Sequence, residues 1–554
     1  MLVNTRTKWA IGITVGVFGV STITTWLTFP YFLKRYVNGL KPGVQVDEVK
    51  WKSWDCAQLR GIHIDRPNVK GVLTQAVACK DAKTFDADGG KLEVTLMDGD
   101  PKEEGDGFTI TAKNLQVHVT RGKWTADAEG VTLDSTKVCG AKATAKHKGV
   151  EASLESPCLD RKTKVVTFTS GEATPDLEFQ GHKVGKVSFG KGFFDPVGSV
   201  QLDSLVRAPV SFQGLSVSLQ DGKLLVKARG VTVTHERLYT APVTLQNVEV
   251  IPIDLKSPSA GDLWVSVNGA KLNFNLDTKH AWGSEPCQKW LGAVPQEMKI
   301  DPIPQVKFVG DFKFDLKIEP DVKLSLTNTC KIDGPRPAFI KALDGKFKYT
   351  AYHPGTKPFE RETGSGTLDW TPLQAVSPNM ATALTTTEDP GFFGHRGFIT
   401  AAIENSLRDN MKLGKFFRGG STLTMQLAKN LWLSRTRTIG RKVQEAILTV
   451  ALESTLPKDK ILELYLNVVE FGPDIYGIGP ASRTLLHKEP MTLSIPESLY
   501  LVLRLPAPNN SASYEQKKGL IKRLMDNIAA SGKVPAELIE VEKGLLDSDT
   551  QEIP

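Results

Sequence analysis

The hydrophobic pattern of the chain changes its period near residue 370, and this change limits the fold more than any other feature of the sequence. Between residues 40 and 350, apolar residues alternate with polar ones, as in KLNFNL at 271–276 and DFKFDLKI at 311–318. From Pro372 onward they recur at spacings of three and four. Alternation is typical of strands with one buried face, and the longer spacing is typical of amphipathic helices. We therefore predict an α+β multidomain chain in which a large, mainly antiparallel β-rich region precedes a mainly helical domain.

A stretch rich in Pro, Gly and Thr separates the two patterns, and we assign residues 351–371 to a linker. The helical domain is then expected at 372–515, and residues 516–554 are expected to form a C-terminal helical tail.

The β-rich region contains two similar segments. LQVHVTRGKWTADAEGVTLD at 115–134 aligns without gaps with LSVSLQDGKLLVKARGVTVT at 215–234. Both read as a strand, a Gly-Lys turn and a second strand, which predicts a duplicated β-unit. The alternative is that hairpins with glycine turns often look alike. In architecture the region weakly resembles the AsmA-like envelope proteins, although no motif supports that likeness.

The N-terminal part of the chain has an uncharged run at 9–33, long enough for a helix that crosses a bilayer. It lacks a small-residue cleavage site after the apolar run, which favours an uncleaved anchor over a signal peptide. Arg6 and Lys8 favour a cytoplasmic location for residues 1–8, although Lys34 and Arg35 oppose this orientation. We expect a single-pass protein of the bacterial inner (plasma) membrane, with the bulk of the chain on the periplasmic side.

Six cysteines agree with an exported chain, because an even count outside the cytoplasm indicates disulfides. Sequential pairing is the simplest of fifteen arrangements, and six buried thiols are the alternative. The cysteines are Cys56, Cys79, Cys139, Cys158, Cys287 and Cys330. Their spacing does not match a metal site. The net charge of +7 suits an anionic lipid surface or a pyrophosphate but is too weak to indicate a nucleic-acid partner.

The first cluster of reactive residues in the helical region is EDPGFFGHRG. It contains Glu388, Asp389, Phe392 and His395. The Pro-Gly pair ends any helix there, so Glu388 is expected at a turn. A carboxylate beside aromatic rings suits a general base, although an ordinary surface acid pair is the simpler interpretation of Glu-Asp alone.

The second cluster, RGGSTLTMQLAKN, combines a Gly-Gly pair with a helix start. Ser421 or Thr422 can cap that helix, and its N-terminus could bind a phosphate. Thr422, Gln426 and Lys429 share one helix face, and Asn430 follows. A capped amphipathic helix with a solvated lysine is the alternative.

Two further clusters follow. Arg441, Lys442 and Glu445 project from one helix, where such pairs are most often surface ion pairs. The segment KDKILELYLNVVEFG, with YGI after it, reads as a mostly buried helix and a turn.

Together, the four clusters resemble the family 51 glycosyltransferases, the lipid II polymerases found alone or in class A penicillin-binding proteins. The family patterns EDxxFxxHxG, GGST-T-QL-KN, RKxxE and KxxILExYLN, followed by FG and YGI, all occur here in order. The resemblance covers about 372–515. It implies a lysozyme-like helical fold and an inverting transfer. The growing glycan strand on undecaprenyl diphosphate is the donor, and lipid II is the acceptor.

The resemblance also implies roles for individual residues. Glu388 matches the catalytic base, and Glu445 matches the second catalytic glutamate, which assists near the donor diphosphate. The other matching positions are expected to bind substrate. They are Asp389, Phe392, His395, Ser421, Thr422, Gln426, Lys429, Asn430, Arg441 and Lys442. No cofactor is required, although a divalent metal (Mg²⁺ or Mn²⁺) assists some members.

The chain departs from the family at three places, one of which is Thr484, Leu485 and Leu486, around the position where the family usually has Tyr-Phe after YGI. Pro390 replaces a usual basic residue, and Met425 replaces a usual second glutamine. Between the first two motifs, the mixed apolar and basic segment 411–418 suits a membrane interface. The part after Tyr514 is too short for a transpeptidase, so a separate transpeptidase is an expected partner.

Three functions therefore compete. The first is a glycan polymerase without transpeptidase activity. The second is a muramidase or lytic transglycosylase, which would share a lysozyme-like fold. The third is an envelope scaffold or lipid-binding protein whose catalytic domain has degenerated.

Overall fold

The computed structural model describes residues 43–548 with short gaps. The gaps are 54, 68, 80–81, 96–108, 122, 148–149, 175–177, 180–181, 184, 196–198, 221–222, 255–260, 301–302, 353–356, 414–418 and 510–511. The segments predicted to be cytoplasmic (1–8) and membrane-spanning (9–33) lie outside the described residues. Among the helices that are described, none is both long enough and apolar enough to cross a bilayer.

The contacts divide the chain into two compact units. The first contains the described residues up to Val233 and those of Gln246–Pro258, and the second contains Thr234–Leu245 and the described residues from Ser259 onward. The helical unit thus includes strands that the sequence pattern assigns to the β-rich region.

The strands up to residue 254 are built from the alternating segments. They are β1 Val44–Trp51, β2 Cys56–Arg66, β3 Val69–Cys79, β4 Thr84–Thr95, β5 Thr109–Arg121, β6 Trp124–Leu133, β7 Lys137–Cys139, β8 Lys142–His147, β9 Val150–Glu155, β10 Cys158–Asp160, β11 Val166–Phe168, β12 Ser170–Thr174, β13 Glu178–Phe179, β14 His182–Lys183, β15 Val187–Phe189, β16 Gly192–Phe194, β17 Val200–Arg207, β18 Val210–Gln220, β19 Lys223–Val233 and β20 Val243–Asp254.

The first unit is a strand ladder with one buried face. Strands β1 to β4 form an antiparallel meander, β4 pairs in parallel with β5, and β5 pairs antiparallel with β6. Burial alternates along the strands, so that Ala57 and Leu59 of β2 lie in the core with Leu92 and Val94 of β4. The prediction of a β-rich region is confirmed. Alternating apolar residues form such strands because every second side chain lies on the same face of the sheet.

The two similar segments both form antiparallel hairpins, β5–β6 and β18–β19. Their registers differ, because Val117 lies opposite Ala128 whereas the aligned Val217 lies opposite Val226. This shift of two residues keeps the same side chains on the same face of each hairpin. A common origin of the hairpins stays a prediction.

Three disulfides link the cysteines in sequential order. Cys56 bonds to Cys79 and Cys139 to Cys158, in each case joining residues that face each other on paired strands. The third bond, between Cys287 and Cys330, lies in the helical unit.

The second unit combines further strands with eleven α-helices among the described residues. The strands are β21 Asp262–Val267, β22 Ala270–Asn275, β23 His280–Pro286, β24 Phe308–Val309, β25 Asp311–Lys317, β26 Lys323–Asn328, β27 Lys331–Ile332, β28 Lys346–Ala351, β29 Phe359–Gly364, β30 Glu470–Gly472 and β31 Ile475–Tyr476. The helices are α1 Cys287–Ala293, α2 Ala338–Lys341, α3 Pro378–Thr387, α4 Thr400–Leu413, α5 Leu423–Trp432, α6 Ile439–Thr455, α7 Lys458–Val468, α8 Ile478–Leu486, α9 Ile495–Val502, α10 Tyr514–Ala530 and α11 Ala536–Ser548.

One core holds this unit together. Phe308 and Phe347, from the strands before the helices, lie in the same buried cluster as Leu427 of α5 and Leu448 of α6. Helix α7 is buried from Ile461 to Val468 apart from the half-buried Glu463, which makes it the central helix of the unit. Strands β24, β25, β27 and β28 of this unit all contribute apolar side chains to the core or pack against it.

Candidate active site

Glu388 lies at the turn that the sequence predicts. Helix α3 starts behind the capping hydroxyl of Ser377, which accepts a hydrogen bond from the Asn379 amide, and it ends at Thr387. Glu388 follows as the C-cap residue, because Pro390 lacks the amide hydrogen that a continuing helix would require. Its side chain is half-buried, so it can reach a substrate.

A hydrogen-bond chain from the core orients the Glu388 carboxylate. The hydroxyl of Tyr465 donates to Oε1 of Gln426 at 2.9 Å, and Nε2 of Gln426 donates to Oε2 of Glu388 at 3.1 Å. The tyrosine fixes which end of the amide faces the glutamate. Burial raises the pKa of Tyr465 well above its usual value, helped by the nearby Glu388 and Asp389 carboxylates, so its hydroxyl remains a donor.

Asp389 is fully buried and supports the turn from inside. Its Oδ1 lies 2.8 Å from Nε2 of His395, and its Oδ2 accepts a 3.0 Å hydrogen bond from the amide of Leu423. The amide of Gly397 donates to Nδ1 of the same histidine, so Nε2 carries the proton that is donated to Asp389. The start of α5, where the sequence suggested a phosphate, thus already faces a carboxylate of the chain itself.

Phe392 is also fully buried, and Nζ of Lys458 lies 4.5 Å from the centre of its ring. Asp389 and Phe392 are expected from the family resemblance to bind substrate, but in this geometry both lie beneath the surface. Thr422 is similarly buried. Its hydroxyl donates to the carbonyl of Gly397 at 2.8 Å and accepts from the amide of Met425, as an N-cap does.

A cationic network lies at the start of α6. Nζ of Lys442 donates to Oγ of Ser421 at 2.6 Å and to Oε1 of Glu445 at 2.5 Å. Arg441 donates to the other carboxylate oxygen of Glu445 and to the carbonyl of Thr436. Glu445 is only 1% exposed, so its charge is compensated by two cations rather than by water.

Lys429 completes this network from the facing helix. Burial lowers the pKa of Lys429 to about 8, and the nearby cations of Arg435, Lys442 and Arg441 act in the same direction, while Glu445 opposes them. A lysine held among cations gains a favourable partner when a polyanion binds. Asn430 follows, and its Oδ1 is buried without a hydrogen-bond partner in the described part of the chain.

One helix thereby connects the two sets of side chains. On α5, Gln426 contacts Glu388, and Lys429, three residues later, is influenced by the charge of Glu445. Residues three apart on a helix lie on the same side. The structure therefore places a carboxylate and a cluster of cations along one face of α5.

Two of the departures from the family pattern, Met425 and Pro390, lie near the site and have different surroundings. Met425 is 7% exposed and packs inside the unit. The glutamine that the family usually has at this position would therefore not lie on the helix face that carries Gln426. Pro390 is exposed beside Glu388. Within the described ranges, no group of three or more His, Cys, Asp or Glu residues is arranged to hold a metal ion.

The hydroxyl of Tyr465 is the functional group that the sequence reasoning overlooked. The sequence assigns its helix to the core, and the residue is indeed fully buried. A buried tyrosine nevertheless needs a partner for its hydroxyl, and this requirement is the signal that could have identified it.

Comparison with known proteins places this site in a family. Residues 357–530 match the transglycosylase family. A biosynthetic peptidoglycan transglycosylase of Thiobacillus denitrificans is 41% identical over 166 residues, which cover 29% of this chain and 72% of the relative. A protein of the same description from Neisseria meningitidis serogroup C is 39% identical over 186 residues, or 33% and 79% of the two chains. The family match includes Glu388, Lys429 and Glu445. Since both relatives are more than 30% identical to this chain and are covered over more than two thirds of their length, the chain belongs to the peptidoglycan transglycosylase family.

Proposed function

We propose that this protein polymerises lipid II into glycan strands by an inverting transfer that releases undecaprenyl diphosphate, without transpeptidase activity. The observation that carries the proposal is the position of Glu388 and of the Lys429, Arg441 and Lys442 cations along one face of α5. A base and an anion-binding cluster are what transfer of a sugar from a diphosphate requires.

Glu388 acts as the general base. Its carboxylate takes the proton from the 4-hydroxyl of the lipid II GlcNAc, and the resulting oxygen attacks the anomeric carbon of the donor. The bond between this carbon and the diphosphate oxygen breaks, and the electron pair leaves with the diphosphate. Gln426 donates to Oε2 of Glu388 and so holds the carboxylate in place for this step.

The cations bind the leaving group. Lys429 and Arg441 stabilise the negative charge that develops on the donor diphosphate, and Lys442 holds Ser421 beside them. Glu445 keeps Arg441 and Lys442 in place as their buried partner. Four other residues of the motifs make their contacts inside the protein, and we assign them to positioning the base and the cations rather than to contact with substrate. They are Asp389, Phe392, Thr422 and His395.

A membrane surface supplies both substrates. We include in the proposal the single-pass anchor at 9–33 and a periplasmic location for the catalytic unit. Met411 and Leu413, at the end of α4, are each 51% exposed and suit contact with lipid. Residues 414–418 of the same segment lie outside the described residues. Cross-links between strands would come from a separate transpeptidase.

The decisive experiment is polymerisation of labelled lipid II by the full chain and its Glu388→Gln variant. We expect glycan strands from the wild type and none from the variant, since a neutral amide cannot accept the proton. Glu489→Gln is the matched control, because Glu489 is an exposed glutamate of the same unit.

Each competing function predicts a different result in this assay. A muramidase or lytic transglycosylase would cleave isolated sacculi without extending strands, and a scaffold would do neither. Full polymerisation by a folded Glu388→Gln variant would remove the mechanism.

A further inference from the structure

The first turn of α6 is completed by main chain from a distant part of the sequence. The amides of Ile439 and Gly440 donate to the carbonyls of Arg237 and Leu238, at 3.0 and 2.8 Å. A helix cannot satisfy its own first amides, so the segment that accepts them determines where the helix begins. Both carbonyls lie in the connection between β19 and β20, well before the residues 357–530 that match the family.

The connection lies so close to α6 that only a glycine fits at position 440. A Cβ atom on Gly440 would lie 2.6 Å from Cδ2 of Tyr239 and 3.0 Å from Cε of Met298. One turn later, the buried Gln444 donates a 3.3 Å hydrogen bond to the Tyr239 hydroxyl. The ring of Tyr239 therefore lies along the first turn of α6 and touches it at two positions on one side.

The residues next to these contacts carry the cationic network. Arg441 follows Gly440 directly, and Glu445 follows Gln444. Their side chains meet each other and leave Glu445 almost fully buried, so a small shift of the helix start would separate or reorient both charges. Misplacement of such groups by about 1 Å can cost orders of magnitude in rate.

We infer that Tyr239, with the connection 234–242 around it, positions the donor-binding cations of α6. The inference rests on the proposed function, since it assigns Arg441 and Lys442 to the donor diphosphate. Tyr239 touches neither substrate nor reacting atoms and acts only through the helix. The β-rich part of the sequence thus supplies a piece of the catalytic unit that the family-matched region does not contain.

Steady-state kinetics on the full chain test this role with Tyr239→Ala and Tyr239→Phe. We expect Tyr239→Ala to raise the KM for lipid II roughly tenfold with a smaller change in kcat. Tyr239→Phe keeps the ring and loses only the long hydrogen bond, so it should restore nearly wild-type values. Trp264→Ala is the control, because it removes a half-exposed ring elsewhere in the same unit.

Two measurements do not depend on turnover. The affinity for fluorescent moenomycin, a donor mimic, should fall about tenfold in Tyr239→Ala and stay unchanged in Tyr239→Phe. Hydrogen exchange at the amides of Ile439 and Gly440 should speed up in Tyr239→Ala but not in Tyr239→Phe. Gly440→Ala, which forces the loop away from the helix side, should reproduce both effects.

The outcomes separate this inference from the proposed function. A folded Tyr239→Ala variant with unchanged KM and unchanged moenomycin affinity would overturn the positioning role, whether or not exchange has changed. A wild-type chain that binds moenomycin but forms no glycan strands would instead refute the proposed function, and affinity and exchange would still decide the role of Tyr239.

Discussion

Gln426 donates a hydrogen bond of 3.1 Å to the carboxylate of Glu388, which lies on a different helix end, 38 residues earlier in the chain. The other end of the amide accepts from Tyr465, so the side chain cannot rotate without losing one partner. The glutamate proposed as the base is therefore oriented by a residue fixed from the protein core.

Replacing Tyr465 with Phe should disturb this orientation without changing the packed volume. Gln426 would lose the donor that fixes its amide, and we expect kcat to fall roughly tenfold. The free energy of unfolding should fall by about 1 kcal/mol, as is typical for one buried hydrogen bond. Enzyme kinetics and urea unfolding measure the two effects.

Tyr500→Phe is the matched control. Tyr500 is also buried and its hydroxyl accepts a hydrogen bond from Arg504, and within the described residues no hydrogen bond links this pair to Glu388. This variant should lose similar stability and keep its kcat. Equal losses of kcat in both variants would contradict an orienting role for Tyr465.

Lys429→Met should weaken the enzyme and stabilise the fold. Loss of the cation should lower kcat/KM for lipid II roughly hundredfold. The wild-type enzyme should also bind its donor less tightly as the pH rises through about 8, where the buried lysine releases its proton. Donor affinity measured from pH 6.5 to 9.5 checks this dependence, and a flat profile would contradict it.

The stability effect of Lys429 has a defined sign. The pKa is about 8 in the folded protein and near 10.5 in the unfolded chain, so the unfolded state binds the proton more tightly. Below pH 8 the burial of the charge costs stability, and this cost disappears as the pH rises toward 10.5. Lys429→Met should thus be more stable than the wild type at pH 7, by a margin that narrows above pH 8. The exposed Lys341→Met should show no such margin.

Asp389→Asn should act mainly by lowering the free energy of unfolding rather than by a direct effect on glycan transfer. The buried carboxylate accepts from Leu423 and His395, and an amide can replace only one of these acceptor oxygens. We expect a loss of about 2 kcal/mol in the free energy of unfolding. The exposed Asp459→Asn should change it by less than about 0.5 kcal/mol. A wild-type melting temperature in Asp389→Asn would refute the supporting role of this residue.

Removing the disulfide in the helical unit should affect catalysis indirectly. Replacing Cys287 and Cys330 with Ser opens a link across 43 residues, and we expect the free energy of unfolding to fall by about 3 kcal/mol. The disulfide between Cys56 and Cys79 lies in the other unit. Replacing both of these cysteines with Ser should leave lipid II polymerisation at moderate temperature unchanged. Thermal unfolding, combined with polymerisation activity after heating, distinguishes the two double variants.

Much of the organisation could be predicted from local patterns. The alternation before residue 350 predicts strands because each strand exposes every second side chain, and the structure confirms a β-rich first unit. Nearby residues likewise predict the helical region after Pro372 and the buried helix at 458–468. They also predict a helix cap at Ser421 or Thr422, and the structure shows that it is Thr422. The four motifs were enough to identify the family.

Other properties depend on side chains that are far apart in sequence. The family pattern alone assigns Asp389 and Phe392 to substrate, but packing against α5 and Lys458 buries both of them. The sequence also gives no sign that Tyr239 reaches α6, because the contact to Gln444 joins residues 205 positions apart.

The sequence by itself thus determined which segments form strands and helices and which residue types are available for catalysis, because both follow from spacing along the chain. Only the tertiary structure decided which carboxylate is buried, which lysine has a lowered pKa and which tyrosine fixes an amide. Solvation and hydrogen bonding depend on neighbours in space, and folding chooses these neighbours from distant parts of the chain.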